Sequence, residues 1–281
     1  MSQPGGDGLS VVMMGRDEAH HLAESLPPLL KVADELIFVD TGSRDQTMDM
    51  VRAMGGRLIE TPWRDDFSAP KNLGIDHARY SWILNVDCDE ILQDVPRAGA
   101  ALRHVCRGDA APGWIVTIDN LMADGRVTSS QAIRLFQNHP AIRFANPVHE
   151  SVARSLSLNW PGQPPLVAEG IRLRHLGYRG GMNRDKLKRN IAILRSWLER
   201  EPDNLFGCYK LGINLRHLGA ASEGLFFLQK GFDLLDREIH RQTWPFAEKL
   251  VGEYFRALLE QGFKEKAEEV KRRVTLWVDG S

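Results

Sequence analysis

Three acids fall within four residues at Asp87, Asp89 and Glu90, directly after the apolar stretch Trp82-Ile83-Leu84-Asn85-Val86. A strand that stops at such a cluster delivers carboxylates to the carboxyl edge of a sheet, where open α/β folds bind ligands. In extended chain alternate side chains share a face, so Asp87 and Asp89 are expected to point together and Cys88 inward. Two carboxylates held side by side repel, and a divalent cation relieves that repulsion. A solvated acidic turn after a core strand would have the same sequence, so the cluster alone leaves both readings open.

The elements around the cluster follow from hydrophobic spacing. Residues 9–14 read as a buried strand. Asp17 and Glu18 then open an amphipathic segment with Leu22, Leu26, Leu29 and Leu30 at helical spacing, which Pro27-Pro28 should break. Residues 35–39 form a second strand ending at Asp40, followed by a turn over 41–45. The next helix runs to about Met54 and closes at Gly55-Gly56. A strand at 57–61, a loop at 62–66 and a helix over 68–79 lead into the Trp82 strand. This alternation predicts a mostly parallel sheet with helices on both faces.

Past residue 90 the pattern changes. A helix over 96–106 precedes strands at 114–118 and 127–135, joined at the hairpin signal Asp124-Gly125. Short strands at 142–152 and 171–174 complete a mixed or antiparallel edge. Beyond Gly180-Gly181 strand signals vanish, and helices are expected over 183–200, 205–218, 222–235, 245–261 and 264–277. The spacing Cys208-x-x-Leu211-Gly212-x-x-Leu215-x-x-x-Gly219 resembles the first helix of a tetratricopeptide repeat. The expected division is a disordered start at 1–8, a sheet domain at 9–181 and a helical domain at 182–281.

Composition narrows the function classes. Among 281 residues, 36 Lys plus Arg against 37 Asp plus Glu give a formal net charge of -1, so bulk charge offers no argument for nucleic acid or an anionic membrane. Three cysteines, an odd number without metal-type spacing, point to a reducing compartment and no disulfide framework. The apolar run at 9–14 is too short for a signal peptide or a transmembrane segment. A cytoplasmic protein is the expectation.

Several stretches taken in order carry a resemblance. They are Asp17-Glu18, Val39-Asp40-Thr41-Gly42-Ser43-Arg44-Asp45, Asp65-Asp66-Phe67-Ser68-Ala69-Pro70-Lys71-Asn72 and Asp87-Cys88-Asp89-Glu90. Arg134-Leu135-Phe136-Gln137-Asn138, Val148-His149-Glu150, His175-Leu176-Gly177-Tyr178 and Lys188-Arg189-Asn190 follow. Together they resemble a family-2 glycosyltransferase of the GT-A fold. The resemblance is to the branch of lipopolysaccharide core glucosyltransferase-like proteins and peptide S-glycosyltransferases, whose relatives often carry a tetratricopeptide-like tail. It implies an α/β fold, a Rossmann-like, mostly parallel mixed sheet followed by an all-α region. It also implies a metal-dependent inverting transfer of a hexose from a UDP sugar to an acceptor glycan, lipid-linked sugar or peptide.

The resemblance assigns roles residue by residue. Asp40 would accept a hydrogen bond from a base N–H, with helix capping as its alternative, and Asp66 or Asp65 would contact base or ribose. Lys71 and Asn72 stand where relatives carry Arg-Asn, the Arg reaching the nucleotide; Lys supplies charge there without a planar fork. Asp87 would lie near ribose and metal, Asp89 would ligate Mn2+ or Mg2+, and His149 would be the third ligand. Glu90 would cap or brace the loop. Arg134, with Arg143, Lys188 and Arg189, offers charge toward the diphosphate or belongs to the surface. Glu150 would be the general base, or would orient His149.

Other classes fit less well. A haloacid-dehalogenase-type phosphatase wants its paired aspartates on the first strand and Thr or Val two residues after the second, where Ile91 stands. A sugar-nucleotide pyrophosphorylase needs a Gly-rich loop after the first strand, and Gly15-Arg16-Asp17-Glu18 is not one. A non-catalytic scaffold that binds a partner, or itself, through the helical tail would have no need of Asp40, Asp87, Asp89 and His149.

Overall fold

Apolar runs of strand formers alternate with amphipathic segments through the first half of the chain, and the structure, a computed structural model, builds one sheet from them. It describes residues 6–108, 110–177, 184–238 and 244–279. The first half runs β1 (Gly6–Gly15), α1 (Ala19–Leu30), β2 (Glu35–Asp40), α2 (Thr47–Ala53), β3 (Arg57–Glu60), α3 (Ser68–Asp76) and β4 (Tyr80–Asn85). Then come β5 (Glu90–Leu92), α4 (Val95–Cys106), β6 (Gly113–Leu121), β7 (Val127–Gln137), α5 (Ala153–Asn159) and β8 (Leu166–His175). The eight strands lie in the order β3-β2-β1-β4-β7-β6-β8-β5. β1 pairs parallel with β2 and β4, as do β2 with β3 and β6 with β8. β7 is antiparallel to β4 and β6, and β5 to β8.

Strand alternation divides the core into two layers. Val11, Met13, Phe38 and Leu84 pack with Leu22, Leu26 and Leu29 of α1 on one side. Their neighbours Val12, Ile37, Val39 and Ile83 pack with Ile75 of α3 in the other. A sheet covered on both faces explains why these strands read as continuous apolar runs.

The structure differs from the expectations at definite places. Pro27 and Pro28 do not break α1, which continues to Leu30. They sit in its final turn, Pro27 exposed, while Leu26 and Leu29 are fully buried, so core packing offsets the missing amide donors. Residues 142–152 form no strand; a single antiparallel bridge joins Ala145 to Ser151. Asn146 at φ 76° and His149 at φ 56° are left-handed, which an extended ladder cannot contain. The helix expected over 68–79 ends at Asp76, and β5 and α5 had no signal of their own. Of the expected disordered start, Gly6, Asp7 and Gly8 belong to β1, and residues 1–5 lie outside the described residues. Gly180-Gly181 and Tyr178 also lie outside them.

The chain divides into two compact units, Met1–Met182 and Asn183–Ser281. The second contains α6 (Arg184–Arg200), α7 (Leu205–Leu218), α8 (Ala221–Arg237), α9 (Ala247–Glu260) and α10 (Lys264–Asp279). Asn204 caps α7 by accepting the Gly207 N–H at 2.8 Å, and Gly219 ends it at φ 98°. α7 and α8 approach closely because glycines face each other. A Cβ on Gly212 would lie 2.7 Å from Leu228 Cγ, and one on Gly224 would lie 2.8 Å from the Gly212 carbonyl oxygen. Among the described residues, no helix is long and apolar enough to cross a membrane.

Candidate active site

The site grows out of the turn between β4 and β5. β4 ends at Asn85, and the turn closes with the Glu90 N–H donating to the Asp87 carbonyl at 3.0 Å. Glu90 Oε2 accepts the Asp87 N–H at 2.9 Å, so Glu90 braces the turn. Cys88 is buried and its thiol donates to the Met14 carbonyl at 3.3 Å. Strand alternation therefore stops before the acids. Asp87 and Asp89 do not share one extended face; the turn sends each to a different set of partners.

Asp87 sits between the buried Lys71 and the half-buried Arg134. Lys71 Nζ is 3.0 Å from its Oδ1, and Arg134 Nη2 is 2.6 Å from its Oδ2. Arg134 Nη2 also lies 2.6 Å from Glu90 Oε1, and its Nη1 donates to Asn85 Oδ1 at 3.3 Å. Lys71, on α3 and only 3% exposed, reaches a third acid: its Nζ is 2.7 Å from Glu150 Oε1 and 5.2 Å from the centroid of the Phe144 ring. Burial works against the Asp87 carboxylate, but Arg134 and then Lys71 outweigh it and hold the group well below the usual carboxylate range. Burial likewise opposes the Lys71 ammonium, yet Asp87 and Glu150 raise it above the ordinary lysine value, so Lys71 stays charged. Burial pushes the Glu90 carboxyl up, Arg134 opposing it.

Asp89 takes its partner from the other end of the sheet. β5 pairs with β8 so that Glu90 stands opposite His175, which brings His175 Nε2 to 3.2 Å from Asp89 Oδ2. The ring is oriented from behind. Asn120 Nδ2 donates to Thr128 O at 3.3 Å and Ser130 Oγ at 3.0 Å, which leaves Asn120 Oδ1 facing His175 Nδ1 at 3.1 Å. That contact places the Nδ1 proton toward Asn120; Nε2 donates to Asp89 when the ring is protonated, and in the neutral ring its lone pair is available to a metal instead. Burial lowers the His175 pKa, and the hydrogen bond and charge of Asp89 more than reverse this, for a net rise. A Cβ on Gly177 would lie 2.6 Å from both Asp89 Oδ2 and His175 Nε2, so the Gly177 backbone packs directly against the pair and a larger residue does not fit. A carboxylate and an imidazole 3.2 Å apart are donors that a divalent cation accepts. Asp87 fits one less directly, since both its oxygens already face cations.

The remaining candidates occupy other positions. Asp40 is buried at the end of β2, where its Oδ1 accepts the N–H groups of Gly42 at 2.8 Å and Ser43 at 2.9 Å. It organises its own turn, while Asp45 serves α2 by accepting the Thr47 N–H at 2.9 Å. Asp66 caps α3, its Oδ1 accepting from Ser68 N–H at 2.7 Å and Ala69 N–H at 3.1 Å, and Asp65 accepts the Trp63 indole N–H at 2.8 Å. Asn72 clasps the Phe144 backbone through both ends of its amide, at 3.0 and 2.8 Å. This clasp, with the Phe67 N–H to Pro147 carbonyl bond of 2.8 Å, holds the segment carrying Glu150 against α3. His149 is exposed. Arg143 pairs with Asp76 at 2.7 Å, and Lys188 and Arg189 are exposed on α6. Sequence reasoning quoted His175 without giving it a role and passed over Asn120. The signal for both was strand register, and neither β5 nor its pairing with β8 was readable.

Comparison with known proteins assigns the sheet unit to a family. Residues 10–146 match glycosyl transferase family 2. The sheet unit carries a glycosyl transferase family 2 domain. A TPR repeat-containing protein of Synechococcus elongatus is 36% identical over 237 residues, covering 79% of this chain and 56% of its own length. The SPbeta prophage-derived glycosyltransferase SunS of Bacillus subtilis is 23% identical over 228 residues, covering 77% of this chain and 51% of its own. The chain thus spans about half the length of the curated relatives it matches. In fold, the chain is similar to S. aureus TarS 1-349, solved in complex with UDP-GlcNAc. The TM-score is 0.51 at 14% identity, covering 98% of this chain and 92% of that one. The GT-A-like sheet with helices after it is the architecture they share.

Proposed function

We propose that the protein is a metal-dependent inverting glycosyltransferase that takes a hexose from a UDP sugar. The observation that carries this reading is the single buried ammonium of Lys71, which touches Asp87 on one side and Glu150 on the other. It ties the acids of the β4–β5 turn to a carboxylate able to act as base. In this reading Glu150 removes the proton from the acceptor nucleophile, which attacks the anomeric carbon as the nucleoside diphosphate departs. Asp40 receives the nucleotide base. Lys71 and Arg134 keep Asp87 ionised and fixed beside the ribose and diphosphate, while Asp66 and Asn72 act by fixing α3 and the Phe144 segment.

Asp89 and His175 are the pair proposed to hold Mn2+ or Mg2+, with Asp87 adjoining. His149, which the family resemblance favours, is the rival for the third position. When bound, the cation supplies Lewis-acid stabilisation of the departing diphosphate. TarS in complex with UDP-GlcNAc supports a UDP sugar as the donor class. The acceptor is proposed only as a glycan, lipid-linked sugar or peptide, and the helical unit as the part that shapes its binding or mediates self-association.

The test is calorimetric titration of UDP sugars in Mn2+ and in excess EDTA, together with release of UDP. Tighter donor binding in Mn2+ and measurable UDP release are expected. Equal affinity in both conditions would overturn the metal-dependent reading, and no release with any sugar would overturn the transferase.

A further inference from the structure

The first turn of α1 gathers a second set of metal-type donors, separate from Asp89 and His175. Glu18 precedes the helix, yet its side chain makes no capping hydrogen bond. Capping is supplied from the neighbouring segment, where Thr47 Oγ1 accepts the Glu18 N–H at 2.8 Å and Asp45 Oδ2 accepts the Ala19 N–H at 3.1 Å. The Glu18 carbonyl in turn accepts the N–H groups of His21 at 2.9 Å and Leu22 at 3.0 Å. The turn's backbone is thereby fixed at both ends, and the Glu18 carboxylate is released to face the helix. Its Oε2 lies 2.7 Å from His21 Nδ1. The rings of His20 and His21 pack with centroids 3.8 Å apart. Successive residues of a helix diverge by about 100°, so this convergence is not given by sequence spacing. Each of the three residues offers a ligand atom, and these atoms all lie within 4.8 Å of one another.

We propose that Glu18, His20 and His21 form a binding site for a zinc-class divalent transition-metal ion. Two imidazoles and a carboxylate are a donor set that Zn2+ takes in three-ligand sites, with water in the fourth position. Bonds of roughly 2.0–2.2 Å place ligand atoms of one tetrahedron about 3.4 Å apart, so the site closes by small side-chain rotations on a backbone already held. Imidazole-rich donors favour Zn2+ and Co2+ over the hard cations Mg2+ and Mn2+, so the site selects a different ion from the one proposed at Asp89. The two regions meet at Gly15. A Cβ there would lie 2.8 Å from Cys88 Sγ and 2.9 Å from Glu18 Cγ, so Glu18 packs beside the residue that separates Asp87 from Asp89. Nothing in this inference depends on the transferase reading.

The experiment titrates the chelator-stripped chain with Zn2+ by calorimetry and with Co2+ by visible absorption. The variants are His20→Ala, His21→Ala, Glu18→Gln and Asp89→Asn. His20 is exposed, so its replacement leaves folding intact, and circular dichroism checks each variant. Expected is Zn2+ binding that weakens at least about 10-fold in each histidine variant and weakens in Glu18→Gln, since even supporting partners of ligands contribute 10–100-fold. Zn2+ also competes for Asp89 and His175, so Asp89→Asn should remove at most a second Zn2+ and leave the histidine-dependent binding at α1 unchanged. No Zn2+ binding by the wild-type chain, unchanged affinity in both histidine variants, or loss in Asp89→Asn alone overturns the proposal.

Discussion

The two units differ in how many polar side chains they bury. In the sheet unit Asp40, Lys71, Asn85, Asp89 and Glu90 are all buried, and Arg134 is 12% exposed. In the helical unit, among the described residues, Asn214 is the only buried polar side chain, and it donates to the Lys210 carbonyl at 2.7 Å. In the helical unit the cation is as enclosed as Arg134, with Arg216 13% exposed, but its acids are more open, Glu253 at 25% and Glu260 at 57%. Arg216 bridges Glu253 at 2.8 Å and Glu260 at 2.6 Å, and Arg273 reaches Asp236 at 2.6 Å. Burying charge is unfavourable unless each ion is paired, and an apolar replacement is often as stable. The sheet unit retains Lys71, Asn85, Asp89 and Glu90 buried at or beside the β4–β5 turn, and Asp40 in a separate turn after β2. The helical unit is built as packed amphipathic faces.

Substitutions sharpen this contrast, beginning with the largest effect. Glu150→Gln removes the proposed base while keeping its shape, and transfer should fall by about 10²–10⁴-fold with donor affinity nearly unchanged. Single-turnover kinetics beside calorimetry checks this, and loss of affinity without loss of rate would make Glu150 a supporting residue. Lys71→Met strands Asp87 and Glu150 without their shared cation. Asp87 is 40% exposed and keeps Arg134, so the loss falls mainly on Glu150, and stability should drop by about 1–3 kcal/mol in urea unfolding. The matching change in the helical unit, Arg216→Met, should cost about 1 kcal/mol: Arg216 is itself 13% exposed, but Glu253 and Glu260 are open enough to be solvated once it is gone. Similar losses for the two variants would erase the contrast.

Metal dependence separates two histidines of the sheet unit. His175→Ala should raise the Mn2+ needed for half-maximal activity by about 10–100-fold. His149→Ala should shift it far less, and the reverse order would restore His149 as the ligand.

The smallest expected effect concerns thiols. Burial pushes Cys106 up to about 12 and Cys208 up to about 11, and Cys88 well above its ordinary value. A thiol whose folded pKa is raised contributes stability that is present below the ordinary value of 9.0 and lost as pH rises through the folded value. Between pH 9 and 11 the α7 region around Cys208 should therefore lose hydrogen-exchange protection. At pH 8 the native chain should react slowly with a disulfide reagent, and all three thiols should react after unfolding.

The helical half was the more legible of the two. Boundaries expected at 205–218 and 264–277 match α7 and α10 closely, because caps such as Asn204 and Gly219 and the 3.6-residue spacing are local signals. Strands of the first half were also readable, since each is a short apolar run closed by a turn residue. Long-range pairing was not readable. Residues 142–152 have strand composition, yet Asn146 and His149 turn left-handed, and Asn72 stitches the segment to α3 across 72 positions of sequence.

Sequence alone singled out the candidates: Asp40, Asp66, Lys71, Asn72, Asp87, Asp89, Arg134, His149 and Glu150 were all named by motif. Residue type and local order carry that information, because a strand end followed by acids is a property of neighbours in the chain. Tertiary structure alone decided how they are shared out. Both oxygens of Asp87 face cations, Glu150 joins the Lys71 ammonium, and Asp89 turns instead to His175. The physical reason is register. His175 reaches Asp89 because β5 leaves its sequence neighbour β4 and pairs at the far edge with β8. Such a pairing is set by sheet closure and the burial of both faces, which no local stretch of sequence encodes.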